Sequence, residues 1–458
     1  MNPILGFLER VAVGPDVSPL DVPLVEFPAG QHLLRRDFHK GICAIASPDS
    51  GKTTLARTLF RAALRDRQGG LVLAVKRAQI QEFLDLCRAE DRSDDCFVVR
   101  PGGKYCYNPL EGESSISEAA AFVGELAEVM ADKVREGGEN DAFWRAQLDI
   151  ILKNLFKLCW VKNGRLDVVE AAELFDGRAN TLAEVSDPSW QRSSPLAGAL
   201  ALANKDLGDA ETRLAIDYFE RAFPAHGDRL QGSLAATVSG VFDALRRPPL
   251  RDLFSGPSTF TMDQLLNCGR ICIVGLPVLD GVEGRLANAI LQFAFCRAAT
   301  RIERLQDAFL ACDECQETVS RELMRKLAVL REYRVGTVLL TQNLAVLDEK
   351  IGEKAREAML GLMATKLFGA QTHAATRQWS AEQIGKHQVK SVTKTSGSSG
   401  GVSNSGRSTH KVWDYRVPPL RFAELRQGET FCLRGAEMWK ARWHRDRPGK
   451  RGTVSIVD

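Results

Sequence analysis

The stretch from Ile42 to Ala56 (ICAIASPDSGKTTLA) constrains this chain more than any other part of it. An apolar run, Ile42–Ile45, is followed by a tight loop and then by a helical pattern over Thr53–Arg65. The loop closes on Ser50-Gly51-Lys52-Thr53, the end of the phosphate-loop pattern G-x-x-x-x-G-K-[ST] that touches nucleotide. Backbone N–H groups of such a loop form an anion nest, Lys52 can reach the β- and γ-phosphates, and the Thr53 hydroxyl can ligate Mg²⁺. The opening glycine of the pattern is replaced by Ala46. A Cβ restricts the backbone, so the loop is expected to be slightly altered. A chance Gly-Lys-Thr at a helix start is the plain alternative; the strand before it and the helix after it argue against that.

A chain of 458 residues is long for a single core, so two domains, or one core with a large insertion, are expected. The 61 Lys and Arg against 58 Asp and Glu leave a net charge of only +3. Any contact with nucleic acid must therefore come from local patches rather than bulk charge. The 11 cysteines lack regular spacing and mostly sit in apolar contexts, which points to reduced thiols rather than a disulfide framework. Cys312-x-x-Cys315 has no second ligand pair at zinc spacing, and Cys312 closes an apolar strand. No apolar run approaches the about 20 residues that span a bilayer, and Met1–Gly6 lacks the regions of a signal peptide. A cytoplasmic chain, recruited to a membrane only through a partner, is the expectation.

The pattern divides the chain into three parts. Residues 1–110 hold a Pro-, Val- and Asp-rich lead-in over 1–38 and the first part of a nucleotide-binding core. Gly69–Val75 and Cys96–Val99 read there as strands, and Tyr107–Leu110 closes the segment. Residues 111–250 turn helical, with apolar spacing over Ala119–Val134, Phe143–Val161, Leu196–Leu207, Glu211–Phe223 and Gly232–Arg246, and read as an inserted all-α domain. Residues 251–458 return to strands alternating with helices: Ile271–Leu276, a helix over Gly281–Arg304, then Ala308–Cys312, Val335–Thr341 and Thr365–Ala370. Lys394–Thr409 is Gly/Ser-rich and reads as a mobile linker. Phe431–Leu433 reads as a last strand. The basic tail Lys440–Arg451, carrying Trp443, reads as a solvated terminus or as a contact for nucleic acid or a partner.

Ala308–Cys312 runs into Asp313-Glu314. Carboxylates at the end of a strand downstream of a phosphate loop suit ATP hydrolysis: Asp313 can hold the water shell of Mg²⁺, and Glu314 can orient and deprotonate the attacking water. A plain strand end leading into a helix is the alternative. The strand Val335–Leu340 ends at Thr341-Gln342, and Gln342 reads either as a γ-phosphate sensor or as a solvated loop residue. Arg331 and Arg334 end the helix Arg321–Tyr333, where an arginine can serve a neighbouring subunit's site or simply match the helix dipole.

Ser50-Gly51-Lys52-Thr53, Asp313-Glu314, Arg331 and Gln342, in this order and with the helical insertion between them, resemble the FtsK–HerA superfamily of P-loop motors. The likeness is greatest to the type IV coupling proteins (TraG/TraD-like). Tyr107-Asn108-Pro109-Leu110, Phe143-Trp144 and the late Gly/Ser-rich stretch add to it, and it spans roughly Lys40 to Leu433. The resemblance implies an α/β fold: a RecA-like P-loop ATPase core with a mostly parallel sheet flanked by helices, plus the all-α insertion. It implies ATP and Mg²⁺ as cofactors, with Ser50, Gly51, Lys52, Thr53 and Thr54 binding nucleotide and Thr53 and Asp313 serving the metal. Glu314 becomes the catalytic base, Gln342 the sensor and Arg331 the finger acting in trans. Three departures accompany it. Ala46 and Asp49 replace glycines, only Lys76 of Ala74-Val75-Lys76 matches an Asp-Pro-Lys-like strand end, and the N-terminal transmembrane pair of many members is absent.

The expectation is an ATP-dependent DNA translocase of conjugative or type IV secretion transfer. It would work as a homo-oligomer, a hexameric ring, with DNA and a relaxase or secretion components as partners. The rivals are a nucleotide-binding scaffold that recruits DNA-processing proteins without turnover, and an ATPase acting on protein cargo or in phage defence.

Overall fold

Continuous apolar runs bounded by turn residues become fully buried strands, and the runs with helical spacing become the helices between them. The computed structural model describes residues 18–27, 30–113, 115–130, 139–205, 208–399, 402–444 and 454–456. The strands, in chain order, are β1 (Pro23–Glu26), β2 (His32–Leu34), β3 (Ile42–Ile45), β4 (Gly69–Leu73) and β5 (Cys96–Val99). Then come β6 (Ile271–Val274), β7 (Ala308–Asp313), β8 (Val335–Thr341), β9 (Thr365–Phe368) and β10 (Lys386–Ser399). The last are β11 (Val402–Tyr415), β12 (Glu429–Arg434), β13 (Glu437–Trp443) and β14 (Val454–Ile456). The described residues form two units, one from within 18–62, 338–349 and 356–456, the other from within 63–337 and 350–355.

In the first unit β3 lies between β8 and β9, parallel to both, with Ile45 in register with Thr341 and Phe368. Its four residues are all buried, as a strand covered on both faces requires. β9 then pairs antiparallel with β12, β12 with β13 and β13 with β14. Phe368, Ile384, Val417, Phe422 and Leu433 pack as one apolar cluster beside these strands. β1 and β2 form a separate antiparallel pair, and the Phe27 ring that follows β1 lies 5.4 Å from Trp439 and 5.6 Å from Trp443. The described part of the lead-in is thus a short β-pair and a one-turn helix, Arg35–His39; residues 1–17 lie outside the described residues.

In the second unit β7, β4, β6 and β5 are parallel neighbours in that order. Between β5 and β6 the described residues hold helices and no strand. Helix Glu139–Asn163 buries Ile151, Leu152, Leu155, Phe156 and Cys159, one face at helical spacing. The helix starts follow the local chemistry. Asp167 accepts from the Val169 and Glu170 N–H groups, and Ser194, with Pro195 behind it, accepts from Leu196 and Ala197. Helix Ile116–Met130 covers the described part of its pattern; residues 131–134 lie outside the described residues. Among the described residues no helix is long and apolar enough to cross a membrane.

Two expectations are corrected. Lys394–Thr409 does not read as a linker: 394–399 and 402–409 lie within β10 and β11, which pair antiparallel from Lys386↔Tyr415 to Ser399↔Val402, and residues 400–401 lie outside the described residues. Cross-strand backbone hydrogen bonds hold it without an apolar face. The beginning of the basic tail is core rather than solvated terminus. Trp443 is 3% exposed with its Nε1 donating to Thr430 Oγ1 at 2.7 Å, Lys440 pairs with Glu429 at 3.4 Å, and Arg442 also pairs with Glu429. Residues 445–451 of that tail lie outside the described residues.

Candidate nucleotide site

The phosphate loop belongs to the first unit. It leaves β3 at Ala46, turns through Asp49 (φ 60°) and Gly51 (φ 95°), and enters the helix Lys52–Arg65. Asp49 occupies the left-handed region that aspartate tolerates better than most residues, so a replaced glycine is met by a residue that can adopt its backbone. Gly51 has no such substitute. A Cβ there would lie 2.7 Å from the Gly428 nitrogen, which itself donates to Ser50 O at 2.7 Å. Ala46 needs no left-handed conformation, and its Cβ fills the space left by Gly369, the residue after β9. The altered first position is therefore accommodated by a glycine on the neighbouring strand's end.

Side chains brace the loop from behind. Ser50 Oγ donates to Ser47 O at 2.6 Å. Ser47 N donates to Ala370 O at 2.9 Å, Ser47 Oγ donates to Gln371 Oε1 at 3.2 Å, and Ser47 Oγ accepts from Thr372 N at 3.2 Å. Gln371 Nε2 in turn donates to Gln342 O at 2.7 Å. Ser50 and Lys52 are buried, Thr54 is half-buried, and Thr53 is exposed at the start of the helix. Gln342 is half-buried and tied through its carbonyl to the same brace. Gln371, Thr372, Gly369 and Gly428 escaped the sequence reading because no local pattern marks them; they matter only through what the folded chain brings beside the loop.

The acidic pair belongs to the second unit. Asp313 ends β7, half-buried, and Glu314 follows in the left-handed region (φ 67°). Both oxygens of Glu314 are engaged. Lys76 Nζ lies 3.2 Å from Oε1, and Gln316 Nε2 donates to Oε2 at 2.8 Å. The Lys76 side chain is 51% exposed and that of Glu314 7%, so the pair joins a solvated cation to a buried anion. Lys76 is placed by Gln79, whose Oε1 accepts from the Val75 and Lys76 N–H groups and whose Nε2 reaches Asp313 O at 3.5 Å. Lys76, known from sequence only as the surviving position of a strand-end motif, is thus a partner of Glu314; Gln316 carried no sequence signal at all. Arg331 opens an exposed 3₁₀ turn, Arg331–Tyr333, whereas Arg334 is committed to Asp307 at 2.7 Å.

Beneath the loop, burial pushes the Cys43 thiol up to about 12, an effect that the nearby Lys366 ammonium partly offsets. Burial also lowers Lys366, and proximity to Cys43 opposes that shift. The Cys43 thiol is therefore protonated at neutral pH.

Residues 307–427 match the TraG-D_C family, the TraM recognition site of TraD and TraG. In structure the chain is similar to the bacterial conjugative coupling protein TrwBdeltaN70 in its unbound form (TM-score 0.64, 13% identity, 95% of this chain and 89% of that one). It is similar also to the plasmid coupling protein TrwB with ADP and Mg²⁺ (TM-score 0.62, 14% identity, 95% and 89%). VirB4 of Thermoanaerobacter pseudethanolicus shares the fold at a TM-score of 0.51 and 15% identity, over 92% of this chain and 96% of that one. No curated protein matches the chain by sequence. The chain shares the RecA-like P-loop fold of these coupling proteins over nearly its whole length, and its residues 307–427 resemble the TraG/TraD family.

Proposed function

We propose that this chain is a coupling ATPase of conjugative or type IV secretion DNA transfer, which hydrolyses ATP in a ring-shaped homo-oligomer to move DNA. The observation that carries the hydrolytic part is Glu314: a buried carboxylate at the end of an apolar strand, held at both oxygens by Lys76 and Gln316. A carboxylate so oriented can take a proton from a water placed for in-line attack.

The phosphate loop fits a nucleotide. Gly51 leaves the loop backbone open where a Cβ would collide with Gly428, and the following helix starts at Lys52 with its amides aimed at any bound anion. Ser50, Gly51, Lys52, Thr53 and Thr54 bind the phosphates, with Lys52 as the cation of the cradle. Thr53 and Asp313 are the residues that hold Mg²⁺, which when bound withdraws charge from the γ-phosphate. Gln342 senses loss of that phosphate and Arg331 acts on a neighbouring subunit's nucleotide. Residues 111–250 serve as the inserted all-α domain, and a TraM-like or relaxase partner docks on the assembly. TrwB has been captured with ADP and Mg²⁺ and with the non-hydrolysable ATP analogue ADPNP, which supports this choice of nucleotide. The chain works in the cytoplasm, brought to the inner membrane by a partner.

The test is Glu314→Gln in purified full chain, with single- and double-stranded DNA added. ATP binding should persist while DNA-stimulated hydrolysis disappears. Undiminished turnover in that variant would sink the assignment.

A further inference from the structure

Strands β10 and β11 make a sheet of their own, and their register sorts side chains that the sequence leaves scattered. Residues directly opposed in an antiparallel pair share a face, and the faces alternate along each strand. Lys386, Gln388 and Lys390 therefore share a face with their partners Tyr415, Trp413 and Lys411, and Arg407 lies on that face of β11 as well. The opposite face takes His387, Val389, Ser391 and Thr393 with Asp414, Val412, His410 and Ser408. Asp414 is the sole acidic residue of the two strands, and its carboxylate accepts from Tyr415 N at 2.8 Å.

One face thus carries Lys386, Lys390, Arg407 and Lys411, all exposed, together with Trp413 at 65% exposure. Lys390 stands directly opposite Lys411. Like charges directly opposed across a strand pair are destabilising, so the ribbon is built with a repulsion that a bound anion would relieve. Lys386 and Lys390 are separated by about 13 Å along the strand, which suits an elongated polyanion rather than a compact one. An indole set among cations offers a stacking surface that an unpaired base can use and a base pair cannot. The base of the ribbon is anchored: Tyr415 packs on the cluster around Phe368, accepts from Gln378 Nε2 at 2.7 Å, and lies 4.6 Å beneath Lys386 Nζ.

We propose that this face of the β10–β11 ribbon binds single-stranded nucleic acid, with Lys390, Arg407 and Lys411 on phosphates and Trp413 stacked on a base. The inference rests on the DNA-moving reading above but names residues that take no part in the proposed nucleotide chemistry, so the two fail separately.

The experiment compares the full chain with Lys390→Gln/Arg407→Gln/Lys411→Gln and with Trp413→Ala. It measures anisotropy of labelled oligo-dT and of a duplex over a salt series, flotation with phosphatidylserine vesicles, and ATP hydrolysis without DNA. The triple variant should bind oligo-dT at least tenfold more weakly. Its plot of log affinity against log salt should be shallower by about 2, for three phosphates at roughly 0.7 each. Trp413→Ala should weaken oligo-dT and spare the duplex, and basal hydrolysis should match the wild type in both. Loss of oligo-dT binding in the triple variant supports the inference even if the protein proves not to hydrolyse ATP. Unchanged affinity and slope, or vesicle binding lost while oligo-dT binding holds, would overturn it. So would a wild type that hydrolyses ATP and binds no oligonucleotide, a result that leaves the ATPase reading intact.

Discussion

Ala46 and Gly369 are a matched pair: a Cβ built on Gly369 would lie 2.6 Å from the Ala46 Cβ. The side chain missing from one position makes room for the side chain added at the other.

Gly369→Ala should therefore disturb the phosphate loop, weakening binding of a fluorescent ATP analogue by about tenfold or lowering stability by about 1–3 kcal/mol through overpacking. Ala46→Gly in the same chain should restore most of what was lost. Isothermal titration and urea melts of the two single variants and the double variant give the coupling, and additive effects would show that the pair is not matched.

Lys76→Met leaves Glu314 with one of its two described partners. If Glu314 is the base proposed above, the turnover number should fall about tenfold or more while affinity for the ATP analogue stays unchanged, because Lys76 contacts the carboxylate. Lys76→Arg should recover part of the rate. Equal loss of affinity and turnover would instead point to a general structural role.

A buried ion network ties helix Val282–Arg301 to the start of the helical segment. Arg297 lies 3.3 Å from Glu113 and 2.8 Å from Glu125, and Arg301 lies 2.9 Å from Glu113. Removing one partner leaves buried charge poorly compensated, so Arg297→Leu should cost about 3 kcal/mol by urea denaturation. Replacing the pair together, Arg297→Leu/Glu113→Leu, should cost distinctly less. A single variant as stable as the wild type would refute the network's role.

Burial pushes the thiols of Cys43 and Cys432 from 9.0 up to about 12. A group whose folded pKa is raised contributes stability that is complete below its unfolded value and lost as pH rises through the folded one. The melting temperature should accordingly fall between about pH 9 and 12, and Cys43→Ala/Cys432→Ala should flatten that decline relative to its own value at pH 8. A decline of the same steepness in the variant would assign the alkaline loss to other groups.

Where sequence reading succeeded, the information was local. Cys96–Val99 and Val335–Thr341 are strands over the residues their runs mark; Val335–Thr341 is buried throughout, as a strand covered on both faces requires, while Cys96–Val99 buries Phe97 and Val99 and leaves Cys96 and Val98 half-buried. The helix Asp228–Arg246 begins four residues before its apolar pattern, since its first turn is tied in by a polar residue: Gln231 is buried and its Nε2 donates to the carbonyls of Asn180, Phe223 and His226. The Gly/Ser ribbon was misread for the converse reason. Its pairing is carried by backbone hydrogen bonds between two strands polar on both faces, and period-two hydrophobicity, the usual sign of a strand, is absent.

By itself the amino-acid sequence determined the strand–loop–helix of the phosphate loop, the apolar strand running into Asp313-Glu314, and the helical stretch between β5 and β6. Each of these follows from contiguous residues whose period or backbone preference settles the local conformation. Tertiary structure alone decided that Gly369 receives Ala46, that Lys76 meets a carboxylate 238 residues away, and that the cations of β10 and β11 share one face. Those outcomes depend on strand order and register, and one residue of slip would send every side chain of a strand to its other face.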